Sequence, residues 1–276
     1  FGTTISSITD QNNDGKDDIV VGAPYADPSG KVDAGSVFII DSTTGNVLTR
    51  FDGDNAGDRF GSSLAAIDTN GDGKKEDVVI GAPYHNPGSK SSAGAIYIGT
   101  SSTGVKTKVA SGDAVNDNFG SSVSAIKDLD ADSKEDVIVG ATGTGSPKGS
   151  VYLYKSSSGT KVKIADGEAI GNKFGYSVAN FKDLNSDGYD EILVGASEAS
   201  TNKGAAYIYS SVSPYSQIHK FSGTASNGKF GYSVASIDRD GDGKKDSALI
   251  GAPYTGSNAG SAYLYSEDNT LLHQSD

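Results

Sequence analysis

The stretch FGSSLAAIDTNGDGKKEDVVIGAPYHNPGSKSSAGAIYIGT, residues 60–100, decides how the chain is read. Residues 60–67 alternate apolar with small or polar side chains, the period of a half-buried β-strand. Residues 68–76 form an acidic loop. Residues 77–83, DVVIGAP, are a continuous apolar run closed by Gly and Pro, which fits a strand buried on both faces. A Gly/Ser/Pro loop leads to a third strand at 93–100. The more polar VKTKVA, 105–110, supplies a fourth and outermost strand.

The same unit recurs. Phe-Gly opens five copies, at Phe1, Phe60, Phe119, Phe174 and Phe230, spaced by 59, 59, 55 and 56 residues, and the last copy runs 47 residues to the end. Four short antiparallel strands in one such unit make a propeller blade, which buries its faces only by stacking against neighbours. The expectation is an all-β fold: a β-propeller of five four-stranded antiparallel blades in one domain, 1–276, with units 1–59, 60–118, 119–173, 174–229 and 230–276. TLLHQSD, 270–276, is the last fourth strand. No segment is left over as a clasp, which leaves three readings: a five-bladed ring closed by blade packing, the one favoured, part of a larger propeller, or an open end that pairs with another molecule.

The acidic loops align as DQNNDGKDD (10–18), DTNGDGKKE (68–76), DLDADSKED (128–136), DLNSDGYDE (183–191) and DRDGDGKKD (238–246). Oxygen-bearing side chains stand at positions 1, 3, 5 and 9 of each. Acids on alternate residues of a tight turn converge, and a hard cation wanting six to eight oxygens suits them. The ligand set expected for Ca²⁺, about one ion per unit, is Asp10, Asn12, Asp14 and Asp18 in the first loop and Asp68, Asn70, Asp72 and Glu76 in the second. The third offers Asp128, Asp130, Asp132 and Asp136, the fourth Asp183, Asn185, Asp187 and Glu191, and the fifth Asp238, Asp240, Asp242 and Asp246. Position 7 would add a backbone carbonyl, from Lys16, Lys74, Lys134, Tyr189 or Lys244. Position 6 is Gly in four loops and Ser133 in the third, where the turn costs more. Asp-Asn-Gly runs also form turns without metal, but five copies with an acid at position 9 favour ligation.

These loops are not EF-hands. An EF-hand needs a bidentate Glu at position 12, and the residues there are Val21, Val79, Val139, Val194 and Leu249. Each loop instead closes at position 9 and feeds a strand. The formal net charge of −12 fits the same picture, since five Ca²⁺ would bring about +10.

Phe-Gly, then DxNxDGxxD, then Gly-Ala-Pro at 22–24, 81–83 and 251–253 resembles the FG-GAP repeat of integrin α-subunit propellers and their bacterial and archaeal extracellular relatives. The resemblance covers essentially the whole chain. It implies calcium in the hairpin between the first two strands of each blade, and an extracellular or cell-surface adhesion module. The chain departs from the pattern at Gly140-Ala141-Thr142 and Gly195-Ala196-Ser197, has five units where integrins have seven blades, and has no Cys.

The loops between second and third strands lie at the end opposite the acidic loops. From the Gly of the Gly-Ala-Pro position to the next strand's Gly the step is 13 residues in the first two units and 9 in the rest. Tyr25, Tyr84 and Tyr254 follow Gly-Ala-Pro and are candidate partner contacts, since loop tyrosines offer large area at low entropy cost; packing on a neighbouring blade is the competing role. In a closed ring the three would form one arc. The partner would be a protein, a glycan or another copy of the chain. An acidic chain of pI about 4.6 argues against nucleic acid, and no apolar run is long enough for membrane insertion. No nucleophile elbow, phosphate loop or metal-spaced histidine pair is present, so an enzyme is not expected. The chain has no Met, so a processed, excised or partial sequence is expected.

Overall fold

A computed structural model describes residues 1–143, 145, 147–256 and 259–275. Its twenty strands form five four-stranded antiparallel sheets, each ordered as its strands occur along the chain. The first sheet is Thr4–Ile8, Asp18–Ala23, Ser36–Ile40 and Val47–Asp52. The second is Ser63–Ile67, Asp77–Ala82, Ala95–Thr100 and Val105–Ser111. The third is Phe119–Ile126, Asp136–Ala141, Ser150–Lys155 and Thr160–Asp166. The fourth is Phe174–Phe181, Glu191–Ala196, Ala205–Tyr209 and Gln217–Ser222. The fifth is Ser233–Ile237, Ser247–Ala252, Ser261–Tyr265 and Leu271–Ser275. Among the described residues, helix is confined to a 3₁₀ turn at Pro28–Gly30 and four residues at Ala199–Asn202. All five expected blades are present; the last residue of the expected strand 270–276 lies outside the described residues.

The chain divides into two compact units. One comprises Phe1–Val137, Gly143–Gly145 and Tyr154–Lys161; the other comprises Ile138–Thr142, Ser146–Leu153 and Val162–Asp276. In the first unit Ile8, Val20, Val37, Phe51, Phe60, Val78, Ile80 and Tyr97 share one core. In the second, Phe181, Leu193, Ile208, Phe221, Phe230, Ile250 and Tyr263 do the same. The second strands read as continuous apolar runs because a sheet packs on each side of them: Asp77–Ala82 is buried at every residue.

The recurring motifs are the sheet-to-sheet joints. A Cβ on Gly22 would stand 2.3 Å from the carbonyl oxygen of Gly61, and one on Gly81 would stand 2.2 Å from that of Gly120. Only Gly allows this approach at the Gly of Gly-Ala-Pro. The joint is locked by hydroxyls: Thr4 donates to Gly61 O at 2.8 Å, Ser63 to Gly120 O at 2.9 Å and Ser177 to Gly231 O at 3.0 Å. The preceding Phe fills the space beside it. Phe60 and Phe230 are nearly fully buried, edge-on to Tyr97 and Tyr263. Faces without a neighbouring sheet in their own unit differ. Ile5 is 68% exposed and Ile19 37% on the first sheet, and Leu249 is 37% exposed on the fifth, whereas Val78 and Leu193, in the positions of Ile19 and Leu249, are fully buried.

Candidate functional site

Each acidic loop joins the first two strands of its sheet, and its first Asp organises the turn. Asp10 Oδ1 accepts the N–H groups of Asn12 (3.1 Å) and Asn13 (2.7 Å), and Oδ2 accepts that of Gly15 (2.7 Å). Asp68 does the same with Asn70, Gly71 and Gly73. Asp128, Asp183 and Asp238 each reach the position-6 N–H, of Ser133, Gly188 and Gly243. These donors hold Asp10 below the ordinary carboxylate range, Gly15 foremost. At Asp68 and Asp128 burial pushes upward, but the ring of N–H donors outweighs it and the net direction is down.

The next positions stack in the same way. Asn12, Asn70, Asn185 and Asp240 each accept an N–H from position 5, at 2.8 to 3.2 Å. Asp14, Asp72, Asp132, Asp187 and Asp242 accept the position-7 N–H of Lys16, Lys74, Lys134, Tyr189 and Lys244. The backbone is left-handed at two places per loop. Position 6 is Gly15, Gly73, Ser133, Gly188 and Gly243, and position 4 is Asn13, Gly71, Ala131, Ser186 and Gly241. Ser133 (φ 73°) and Ala131 (φ 62°) both take this conformation in the third loop, at roughly 1–2 kcal/mol per residue. The second left-handed position is not evident from the repeat of Gly at position 6.

The acids that close the loops are where a cation fits. Within 4.8 Å of one another lie carboxylate oxygens of Asp68, Asp72 and Glu76, of Asp128, Asp130 and Asp136, and of Asp238, Asp240 and Asp242. Several buried oxygens here have no hydrogen-bond partner: Glu76 Oε2, Asp130 Oδ1, Asp132 Oδ2 and both oxygens of Glu191. An orphaned buried carboxylate is costly, and a cation is the partner its chemistry calls for. Burial, joined by the charges of Asp187, Asp183 and Asp190, pushes Glu191 up to about 8, against the backbone N–H of Leu184. Burial with Asp130 and Asp128 pushes Asp136 up to about 6, against the N–H donors of Ser156 and Leu129. Burial likewise raises Glu76, with Asp72, Asp77 and Asp68 adding to it. In the first loop Asp18 is already satisfied by Gln11 N–H (2.8 Å) and Ser42 N–H (3.1 Å). In the fifth, Asp246 accepts from Ser247 Oγ at 2.9 Å and the three clustered acids are exposed.

Sequence reading missed two parts of this region. The hairpin between third and fourth strands folds onto the acidic loop: Thr43 donates to Asp14 at 2.7 Å, Ser157 to Asp130 at 2.9 Å, and Ser156 N–H to Asp136 at 2.9 Å. Also, the second and fifth loops start one residue earlier relative to Phe-Gly, so that Glu76 and Asp246 each stand one residue before the second strand. Asp77, following Glu76, therefore takes the strand-opening place held by Asp18 and Asp136, accepting from Thr69 Oγ1 (2.6 Å) and Ser101 N–H (3.1 Å). Counting residues from Phe-Gly as well as from Asp would have exposed the shift.

At the other end of the sheets, Tyr25 and Tyr84 are brought together by Arg59, whose guanidinium carbon lies 4.9 Å and 4.5 Å from their ring centroids. They are 59% and 40% exposed. Tyr254 is 44% exposed, edge-on to Tyr232 at 6.4 Å and capped by Lys229 at 5.3 Å. Beneath this surface His85 is buried, with Nδ1 2.9 Å from Asp58 Oδ2 and Nε2 3.4 Å from Lys108 Nζ. Tyr97 approaches the same imidazole, and burial beside Asp54 and Asp58 drives its phenol upward. This polar network runs from the buried Asp58 and His85 out to the exposed Lys108.

The FG-GAP repeat profile matches residues 1–40, 60–98, 119–154 and 174–209, more than half of the chain. The chain is a member of the FG-GAP repeat family. The matched FG-GAP segments take in the first three strands of each of the first four sheets; the fifth sheet, with its own Phe-Gly and Gly-Ala-Pro, lies outside them. Integrin alpha-3 of Cricetulus griseus is 32% identical over 64% of the chain, and integrin alpha-6 of Gallus gallus is 34% identical over 64%. Integrin alpha-5 of Xenopus laevis is 28% identical over 77%. The FG-GAP chain spans 18%, 17% and 22% of these relatives' lengths. TolB from Acinetobacter baumannii matches 91% of the chain, over 51% of its own, with a TM-score of 0.51 and 12% identity, a likeness of fold alone. The fold is thus an integrin α-like FG-GAP propeller. Among the described residues no helix is long and apolar enough to cross a membrane.

Proposed function

We propose that this FG-GAP protein is an extracellular, calcium-stiffened binding module, without enzymatic activity, that holds a protein or glycan on the loops carrying Tyr25, Tyr84 and Tyr254. The observation that carries this reading is the separation of tasks between the two ends of the sheets. Acids converge in hairpins of the second, third and fifth sheets, and half-exposed tyrosines stand in the loops at the other end of the first, second and fifth. Ca²⁺ would be held by the residues at positions 1, 3, 5 and 9, with Glu76, Asp130, Asp132 and Glu191 supplying the oxygens that lack protein partners. The ion neutralises these carboxylates and so fixes the ends of the first two strands; the protein's own residues hold the opposite loops in place through the glycine joints. Membership of a family that includes integrin α-subunits supports the adhesion role. An array of extracellular proteins and glycans, probed with the calcium-loaded chain, is the test. Binding to a defined member, lost when Tyr25, Tyr84 and Tyr254 are all changed to Ser while the melting temperature holds, is expected. A loss of several degrees in that variant would instead make the tyrosines packing residues.

A second reading, a subunit of an extracellular filament or layer, rests on the exposed Ile5 and Ile19 on the first sheet and Leu249 on the fifth. Such faces could stack head to tail between copies. Electron microscopy with calcium and with EGTA separates the readings. Discrete particles are expected for the binding module; filaments or sheets would favour the second.

A further inference from the structure

The residue before each of the last four Phe-Gly dipeptides is held in a left-handed backbone: Arg59 (φ 52°), Asn118 (52°), Lys173 (51°) and Lys229 (53°). At Arg59 the local chain is pinned. Its N–H donates to Asp33 O at 3.0 Å, and its carbonyl accepts Ser62 Oγ at 2.6 Å. At Arg59, Lys173 and Lys229 the side chain meets the residue that follows Gly-Ala-Pro, or its degraded form, in a flanking sheet. Those following residues are Tyr25, Tyr84, Gly143, Glu198 and Tyr254.

What each slot contains decides what happens to the cation. In the second unit Glu198 takes the tyrosine position, and both neighbouring lysines use it: Lys173 at 3.2 Å and Lys229 at 3.8 Å. Asn118, uncharged, donates to Pro83 O at 3.0 Å. At Arg59 both flanking positions are tyrosine. The rings cover the guanidinium, and among the described residues no carboxylate pairs with it. A guanidinium stacked on aromatic faces still presents its N–H groups in its own plane, where a planar carboxylate accepts two of them.

We propose that Tyr25, Arg59 and Tyr84 form a receptor for a carboxylate side chain, an Asp or Glu on a partner protein, which takes at Arg59 the place that Glu198 takes beside Lys173 and Lys229. The inference rests on the reading of these loops as ligand-facing. The net charge of −12 favours a ligand with an isolated acid over a polyanion such as a sulfated glycan or nucleic acid, which the whole chain repels. The protein's own Glu198 is the precedent for a protein side chain over a sugar acid. The rings hold the guanidinium in one orientation, which lowers the ordering cost of the bidentate contact.

The test is a titration of the calcium-loaded full chain, ¹³C-labelled at tyrosine, followed by NMR. The probes are N-acetyl-glutamate amide, its neutral counterpart N-acetyl-glutamine amide, sulfate and glucuronate. Saturable shifts of the Tyr25 and Tyr84 signals with the glutamate probe, at millimolar affinity and absent with the glutamine probe, are expected. Arg59→Gln should weaken binding by about tenfold or more, and Arg59→Lys by less, since charge is kept and the fork is lost. No saturable shift, or equal shifts from both amides, would overturn the proposal. Tighter binding of sulfate or glucuronate would overturn the protein carboxylate in favour of another anion. If Arg59→Gln unfolds, the contrast between the two amides on the unaltered chain still decides. Glutamate binding without any partner on the protein and glycan array would leave this site standing and remove the adhesion role. A partner lost in the Tyr→Ser variant, yet kept by Arg59→Gln and not displaced by the glutamate probe, would do the reverse.

Discussion

Adding saturating Ca²⁺ to metal-free protein at pH 7.5 is expected to raise its melting temperature by more than about 10 °C. An ion that binds only the folded state stabilises by roughly 2.7 kcal/mol per site at a hundredfold excess over its dissociation constant. For chains near this size each kcal/mol moves the midpoint by about 2–4 °C. Two or three sites are therefore enough. The buried oxygens of Glu76, Asp130, Asp132 and Glu191 place the strongest binding in the second, third and fourth loops. The first loop, where Asp18 is already paired with backbone donors, and the fifth, where the clustered acids are exposed, should bind more weakly. Calorimetric melts in EGTA and in calcium, with isothermal titration for stoichiometry, check both statements. An unchanged midpoint would reduce the loops to turn formers. Asp10 and its counterparts hold each turn by hydrogen bonds, and calcium would act on the acids that this framework brings together.

The blades were legible because their signals are local and repeated. DVVIGAP is buried throughout and can be little else than a central strand, and the five Phe-Gly dipeptides set the period. The acidic clusters of the second, third and fifth loops were legible for the same reason, since residues 1 to 9 of each loop are contiguous. Asp77 was missed because a one-residue shift before Asp68 is invisible when loops are aligned on their acids. Ser156, Ser157, Thr43 and Arg59 were missed because what they touch is set by sheet pairing and stacking, far along the chain. Tyr25 and Tyr84 were found as loop tyrosines, but the cation between them belongs to the stretch preceding Phe60, which carries no motif of its own. The glycine of Gly-Ala-Pro had a family resemblance before it had a reason. The reason is the carbonyl of the next Phe-Gly, near 2.2 Å from where a Cβ would stand.

Glu191 gives the sharpest pH test. Its carboxyl is fully buried, neither oxygen has a well-formed hydrogen bond, and burial with the negative charge of Asp187 and Asp183, opposed by the backbone N–H of Leu184, moves it from an ordinary 4.5 to about 8. A carboxyl raised on folding holds its proton more tightly in the folded state. Its contribution to stability is therefore complete below about pH 4.5 and is lost as pH rises through about 8. Across that window the loss is about 1.4 kcal/mol per pH unit at most, softened by any water that reaches the carboxylate. In EGTA, Glu191→Gln should melt close to the unaltered chain at pH 5 and several degrees above it at pH 9, because the amide never ionises. In calcium the order should reverse: the ion pairs with the carboxylate, and the Gln variant, having lost that charge, should gain less from added metal. Melts of the two proteins at both pH values, with and without calcium, give eight midpoints. Parallel pH profiles in EGTA would mean that Glu191 reaches solvent or a partner once ionised. A Gln variant that gains as much from calcium as the unaltered chain would remove Glu191 from the ligand set and leave its burial as a purely structural matter.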